Sequence, residues 1–181
     1  MSTHEHKNKA PRSVTIGIIT VSTTRTLEDD ESGHWISRQA LDEGHRIVAH
    51  RVVSDDSSAV IETVQSVLQN EFPQVILLTG GTGISPDDLT IEAMKPMFSK
   101  ELVAFGALFA QLSYEQIGSA ALLSRATAGV INNTVVFCIP GSLKACRLAC
   151  QSLIFPELGH LVHHVQAGYP EFFMKKSKIP K

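Results

Sequence analysis

Residues 75–83 read VILLTGGTG, an apolar run that passes straight into a glycine-rich loop. An apolar run this short, closed by glycine, suits a strand buried on both faces, as strands of parallel sheets are. Glycines directly after such a strand let the backbone approach a ligand and aim successive N–H groups at an anion. Gly80, Gly81, Thr82 and Gly83 are therefore candidate phosphate-binding residues. The loop lacks both the G-x-G-x-x-G spacing and the Gly-Lys-Ser/Thr ending of the common nucleotide motifs. Read alone, a tight strand-to-loop turn accounts for it equally well.

Working outward, Val14 to Val21 (VTIGIITV) is another short, β-branched strand, and Arg46 to Val53 alternates partly as a further one. Between them Ser32 precedes a helical pattern of Trp35, Ile36, Ala40 and Leu41 that ends near Gly44. Asp55 and Asp56, natural N-cap residues, open a helix whose apolar face is Val60, Ile61, Val64, Val67 and Leu68. Beyond the glycine loop the helical pattern resumes at Thr90, with breaks near Pro96 and Gly118. Val130 to Ile139 is the last strand region, with Asn132 and Asn133 as a turn inside it. A helix follows from about Leu143 to Ile154, and Pro156 starts another to about Val165.

Strands alternating with helices predict an α/β fold, a mainly parallel sheet with helices on both sides. Ligands of such folds bind beyond the carboxyl ends of the strands. Four loops fall there: Ser22 after the first strand, Asp55 after the second, Gly80 to Asp88 after the third and Pro140 to Ser142 after the last. We expect residues 1–13 to be a disordered N-terminal segment, 14–165 one domain, and 166–181 a tail whose lysines (Lys175, Lys176, Lys178, Lys181) are solvated.

The 181 residues are 43% hydrophobic and 19% charged, with formal net charge -2, the profile of a soluble globular protein. No global field draws nucleic acid or an anionic membrane, and no signal stretch or membrane-length apolar run occurs. Three cysteines, an odd number without a pairing pattern, suit a reducing cytoplasm. Cys146 and Cys150 read as small core residues.

Other residues carry chemistry in the right places. Pro140-Gly141-Ser142 joins a strand to a helix, where N–H groups and the helix dipole favour an anion, or where Ser142 simply caps. Asp87 and Asp88 are placed to hold Mg²⁺ against phosphate oxygens, or to form a solvated turn. Arg125 offers a fork of donors for phosphate. His160, His163 and His164 have helical spacing that suits a metal, but no carboxylate recurs with them and they lie far from the glycine loops.

TGGTGISPDDLTIEA (residues 79–93) resembles the signature of the MogA/MoaB family of molybdenum cofactor biosynthesis. DDESGHWI after the first strand, VVSDD after the second, FGALFAQLSYEQIGSAALLSRATAGV and FCIPGSLKACRLA continue the resemblance over roughly Val14 to Val165. The FG…LSYEQIGSAALLSRA stretch is similar to the MoaB branch. The resemblance implies a three-layer α/β/α sandwich, trimeric or hexameric assembly, and a pterin pocket beside a nucleotide pocket. It implies Mg-ATP-dependent adenylylation of molybdopterin, giving adenylylated molybdopterin and pyrophosphate, with other proteins of the pathway as partners. The family's two essential aspartates fall on Asp55 and Asp88, with Asp88 and Asp87 beside Mg²⁺. Nucleotide contacts fall on Gly80, Gly81, Thr82, Gly83, Pro140, Gly141 and Ser142; pterin and phosphate contacts fall on Ser22, Ser32, Ser124 and Arg125. Two positions depart from the pattern: Asp87 replaces a common Arg, and Thr23 a common Asp. They keep open a catalytically weak oligomer that binds pterin or nucleotide and hands it on. A related domain hydrolysing a nucleotide diphosphate bond is the third reading.

Overall fold

The computed structural model describes residues 10–167. The basic tail lies outside these residues, as do the first nine residues of the N-terminal segment; Ser13, nearer the domain, is anchored by its Oγ, which donates to Gly44 O at 2.7 Å. The strands are β1 (Thr15–Val21), β2 (Arg46–Val53), β3 (Val75–Thr79), β4 (Lys100–Glu101), β5 (Thr127–Ile131) and β6 (Thr134–Ile139). The helices are α1 (Glu31–Asp42), α2 (Ser57–Asn70), α3 (Thr90–Met94), α4 (Val103–Ile117), α5 (Leu143–Ala149) and α6 (Leu158–Gln166). One sheet runs β2-β1-β3-β6-β5-β4. β2, β1, β3 and β6 run parallel to one another, while β5 lies antiparallel between β6 and β4.

Alternation along the strands builds the three layers. Val75 and Leu77 of β3 enter a core with Ile36 and Ala40 of α1, Phe105 and Phe109 of α4, Cys146 of α5 and Val162 of α6. Ile76 and Leu78 enter the opposite core with Val60, Val64 and Val67 of α2 and Met94 of α3. All five β3 side chains are buried, which explains the unbroken apolar run. Gly17 of β1 lets α2 approach closely: a Cβ there would stand 3.2 Å from Val67 Cγ1.

Several expectations are refined. The last strand region is a hairpin of β5 and β6, and Asn132 turns it at φ 54°, a conformation Asn tolerates better than most residues. The helix expected to reach Ile154 ends at Ala149, passes through a π-helical stretch (Cys150–Ile154) and a 3-10 turn (Phe155–Glu157), and resumes as α6. β4 has two residues, too few to leave a periodic signal. Asp30 caps α1, accepting from Gly33 N, so Ser32 lies inside the helix rather than ahead of it. Phe105 and Phe109 serve the monomer core, whereas Val103, Leu108, Tyr114, Ile117, Leu122 and Leu123 are exposed.

The chain order reverses at β1: it steps to β2 on one side, then returns to β3 on the other. The loops that leave the carboxyl ends of β1 and β3 therefore diverge and open a crevice. Phe137, at the centre of β6, packs edge-on against Phe105 of α4 with centroids 5.0 Å apart. Phe137→Ala is expected to lower stability by about 3–5 kcal/mol through lost burial and a residual cavity. Urea titration followed by circular dichroism measures it, and a change under about 1 kcal/mol would contradict this core assignment.

Candidate functional site

Three strand ends meet with no room for side chains between them. Gly80 has φ +101°, and a Cβ there would stand 2.2 Å from Val21 O at the end of β1. A Cβ on Gly141, after β6, would stand 3.0 Å from Gly80 Cα. Backbone and side-chain bonds fix the junction: Gly80 N donates to Ile139 O at 3.0 Å, and Thr79 Oγ1 to Pro140 O at 3.1 Å. Thr90, fully buried at the start of α3, donates through Oγ1 to Gly80 O at 2.8 Å. Gly80 is therefore required by contact as well as by backbone conformation, and Gly141 by contact.

A carboxylate stands at each end of this loop. Asp55 Oδ2 accepts from Thr23 N at 2.6 Å, tying the loop after β2 to the loop after β1. Its Oδ1 lies 3.4 Å from where a Cβ on Gly81 would be. Asp88 Oδ2 accepts from Ser85 N at 2.8 Å and lies 2.6 Å from the Cβ position of Gly83. Both are half-buried, whereas Asp87 is exposed. Asp56 provides the helix cap, accepting from Ala59 N at 2.8 Å, which leaves Asp55 for the crevice.

Arg125 spans the outer side of the loop. Its Nε donates to Thr82 O at 3.0 Å and Gly83 O at 2.8 Å, and its Nη2 to Asp88 O at 3.4 Å. The guanidinium also pairs with Glu92, Nη1 to Oε1 at 2.6 Å. That pairing holds the Glu92 carboxyl below its usual range and the arginine above its own. In a trans peptide the N–H points opposite to the C=O. Carbonyls drawn toward Arg125 therefore turn the N–H groups of Gly83 and Ile84 away from it, as an anion site needs.

The loop after β1 closes the other side. Ser22 Oγ accepts from Thr24 N at 3.3 Å and Arg25 N at 3.2 Å, and Arg25 Nη1 donates to Gly141 O at 3.3 Å. Ser32, 1% exposed, donates its Oγ to the same Gly141 O at 2.9 Å. Ser142 Oγ accepts from Ala145 N at 3.3 Å and caps α5.

The family profile described as "Probable molybdopterin binding domain" matches residues 17–160. The chain belongs to the MogA/MoaB family of molybdenum cofactor biosynthesis. It is 49% identical over 167 residues to the molybdenum cofactor biosynthesis protein B of Bacillus subtilis, covering 92% of this chain and 98% of that one. A crystal structure of a molybdenum cofactor biosynthesis protein B superposes with TM-score 0.84 at 43% identity, covering 87% of this chain and 99% of that one. The tungsten cofactor synthesizing protein MoaB of Pyrococcus furiosus superposes with TM-score 0.79 at 36% identity, covering 87% and 99%.

In this MogA/MoaB chain the four predicted loops do share one edge, so Ser22, Asp55, the glycine loop, Asp88 and the Pro140–Ser142 turn lie together. Ser124 sits just before Arg125, its N–H donating to Ala121 O at 3.1 Å. Ser32 and Arg125, expected as direct pterin or phosphate contacts, have protein partners and hold the loops in place. Sequence reading passed over Arg25, Thr90 and Asp30, because isolated polar residues in loops or at a helix start carry no periodic signal.

Asp30 anchors the first loop from below. It is fully buried, accepts from Thr20 Oγ1 at 2.6 Å and Gly33 N at 3.0 Å, and pairs with His50 Nε2 at 2.7 Å. Gly33 has no space for a Cβ, which would meet Asp30 Oδ2 and His50 Nε2. Burial pushes the Asp30 carboxyl up, but the bonds from His50, Thr20 and Gly33 outweigh it, and the net shift is downward. A lowered pKa means stability that is present above the unfolded value, about 3.9, and lost as pH falls through the lower folded value. Asp30→Asn is expected to cost about 1.5–3 kcal/mol at neutral pH and to flatten the loss of stability below about pH 4. Chemical denaturation from pH 7 to pH 2.5 tests this; parallel curves for the two proteins would rule it out.

Proposed function

We propose that the chain transfers the AMP part of Mg-ATP to the terminal phosphate of molybdopterin, releasing pyrophosphate. The observation that carries this reading is the pair of carboxylates, Asp55 and Asp88, at opposite ends of a loop too tight for side chains. Backbone N–H groups of Gly81, Thr82 and Gly83, with the Pro140, Gly141 and Ser142 turn, take the nucleotide phosphates, whereas Gly80, whose N–H is held by Ile139 O, shapes the loop. Ser22, Arg25 and Ser124 border the pterin and its phosphate, while Ser32 and Arg125 fix the loops that do the binding.

The residues suit Mg²⁺, a hard cation that takes one or two carboxylates and completes its shell with phosphates and water. Asp88 would hold it, with exposed Asp87 beside it; when bound it supplies charge neutralisation for the departing pyrophosphate. The chemistry asks little covalent help from the protein. A phosphate oxygen of molybdopterin forms a bond to the α-phosphorus, and the bond from that phosphorus to the bridging oxygen breaks. Two anions must be brought in line against their repulsion, so placement and screening dominate. Asp55 orients substrate or metal, because a phosphate nucleophile needs no strong base near neutral pH.

A weaker variant of this reading is an oligomer that binds pterin or nucleotide without efficient transfer. It is favoured by one feature, the extra negative charge of Asp87 exposed beside the loop. A single assay separates them: purified protein, molybdopterin, ATP and a Mg²⁺ series, with adenylylated product detected by mass. Asp88→Asn is expected to keep the fold and lose product at every Mg²⁺ concentration. Asp87→Arg is expected to lower the Mg²⁺ requirement, because two carboxylates near a triphosphate repel it unless metal intervenes. Wild-type protein that folds and binds pterin yet yields no product at any Mg²⁺ concentration would leave only the binding role.

The same reading includes assembly as a homotrimer or a dimer of trimers. Val103 at 77%, Leu122 at 83% and Leu123 at 61% exposure lie on α4 and the turn after it, large apolar side chains of the kind a subunit interface would cover. Light scattering should return a multiple of the 19.7 kDa chain mass, and Leu122→Glu should shift it toward the monomer. A monomer across a wide concentration range would reject the assembly.

A further inference from the structure

We propose that His160 and His164 form a binding site for a divalent transition-metal ion of the copper–nickel class, on the sheet edge opposite the glycine loop. His160 Nε2 and His164 Nε2 stand 2.9 Å apart, one helical turn from each other on α6. His160 Nδ1 is 3.0 Å from Glu157 Oε2. An ionised carboxylate only accepts, so Nδ1 of His160 carries the proton and its Nε2 accepts from His164 Nε2–H; a bound ion would replace that bridging proton, which moves to His164 Nδ1. This carboxylate–imidazole order is the outer-shell arrangement that orients histidine toward a metal and raises its basicity.

The spacing selects the ion. Two metal–nitrogen bonds of about 2.0–2.1 Å to nitrogens 2.9 Å apart subtend about 90°. That is the cis angle of a square-planar or octahedral ion, whereas a tetrahedral angle needs nitrogens about 3.3 Å apart. The pair therefore favours Cu²⁺ and Ni²⁺, with water completing the shell. His164 lies in the last turn of α6, where the helix dipole favours a cation, and Glu157 offsets part of the charge.

The site is remote from the phosphate chemistry. Gly159 of α6 packs on Pro11 O, ahead of β1, and Gln166 accepts from Gln74, ahead of β3. These are the amino ends of the parallel strands. An ion here is expected to affect stability rather than AMP transfer.

The test uses the full-length chain without an affinity tag. Cu²⁺, Ni²⁺, Zn²⁺ and Mg²⁺ are each titrated alone by calorimetry, and Cu²⁺ is also followed by electron paramagnetic resonance. One ion per chain is expected, with Cu²⁺ tightest, Mg²⁺ without measurable binding, and a two-nitrogen signature. His164→Ala, at an exposed position, should weaken Cu²⁺ by at least about tenfold, and Glu157→Gln by about tenfold. Cu²⁺ should raise the melting temperature of wild type but not of His164→Ala. Unchanged affinity in His164→Ala and His160→Ala overturns the proposal. The N-terminal segment holds two further histidines, His4 and His6; a nitrogen signature that is lost in His4→Ala/His6→Ala and kept in His164→Ala also overturns it.

Discussion

The contact on which this structure depends is that of Gly80 with Val21 and Gly141. Three strand ends come so close that only glycine fits at the point where they meet. A side chain at Gly80 would push the third strand away from the first, and one at Gly141 would push away the sixth. The crevice between the diverging loops would then lose its floor. The parallel order of β1, β3 and β6 brings these ends together, and their buried side chains leave no slack for adjustment.

Around that contact, polar side chains hold backbone rather than ligand. Thr90, Thr79, Ser32 and Arg125 all donate to carbonyls of the glycine loop or the Pro140–Ser142 turn. Carbonyls occupied in this way turn the N–H groups of the same peptides the other way, an arrangement that would need no reorganisation to receive an anion. Asp30 and His50 extend the same logic inward, fixing the start of α1 so that Ser32 reaches Gly141. The result is a preorganised rim that carries the carboxylates of Asp55, Asp88 and exposed Asp87.

A division of labour follows between the two edges of the sheet. The carboxyl edge gathers glycines, hydroxyls and carboxylates, the groups suited to phosphates and hard cations. The amino edge carries the imidazole pair of α6, a softer donor set. Among the described residues no group of three or more His, Cys, Asp or Glu side chains is placed to hold a metal ion together, so neither edge is a closed metal cage. No helix among them is long and apolar enough to cross a membrane.

Residues 75–83 by themselves determined the buried strand and the glycine loop, because an unbroken apolar run and a need for glycine are local properties. The alternation of strands and helices determined the α/β class and put Ser22, Asp55, Asp88 and Ser142 on one edge, since strand direction follows from the crossovers. Tertiary structure alone decided which of those residues face the crevice. Whether Asp55 or Asp56 caps α2 turns on the distance to Thr23 N in another loop. Whether Arg125 meets a ligand or a carbonyl turns on residues more than forty positions away in part. The apolar pattern of α4 did not separate Phe105 and Phe109, which face the core, from Leu108, which does not. Such choices depend on contacts between segments distant in sequence, and no local propensity encodes them.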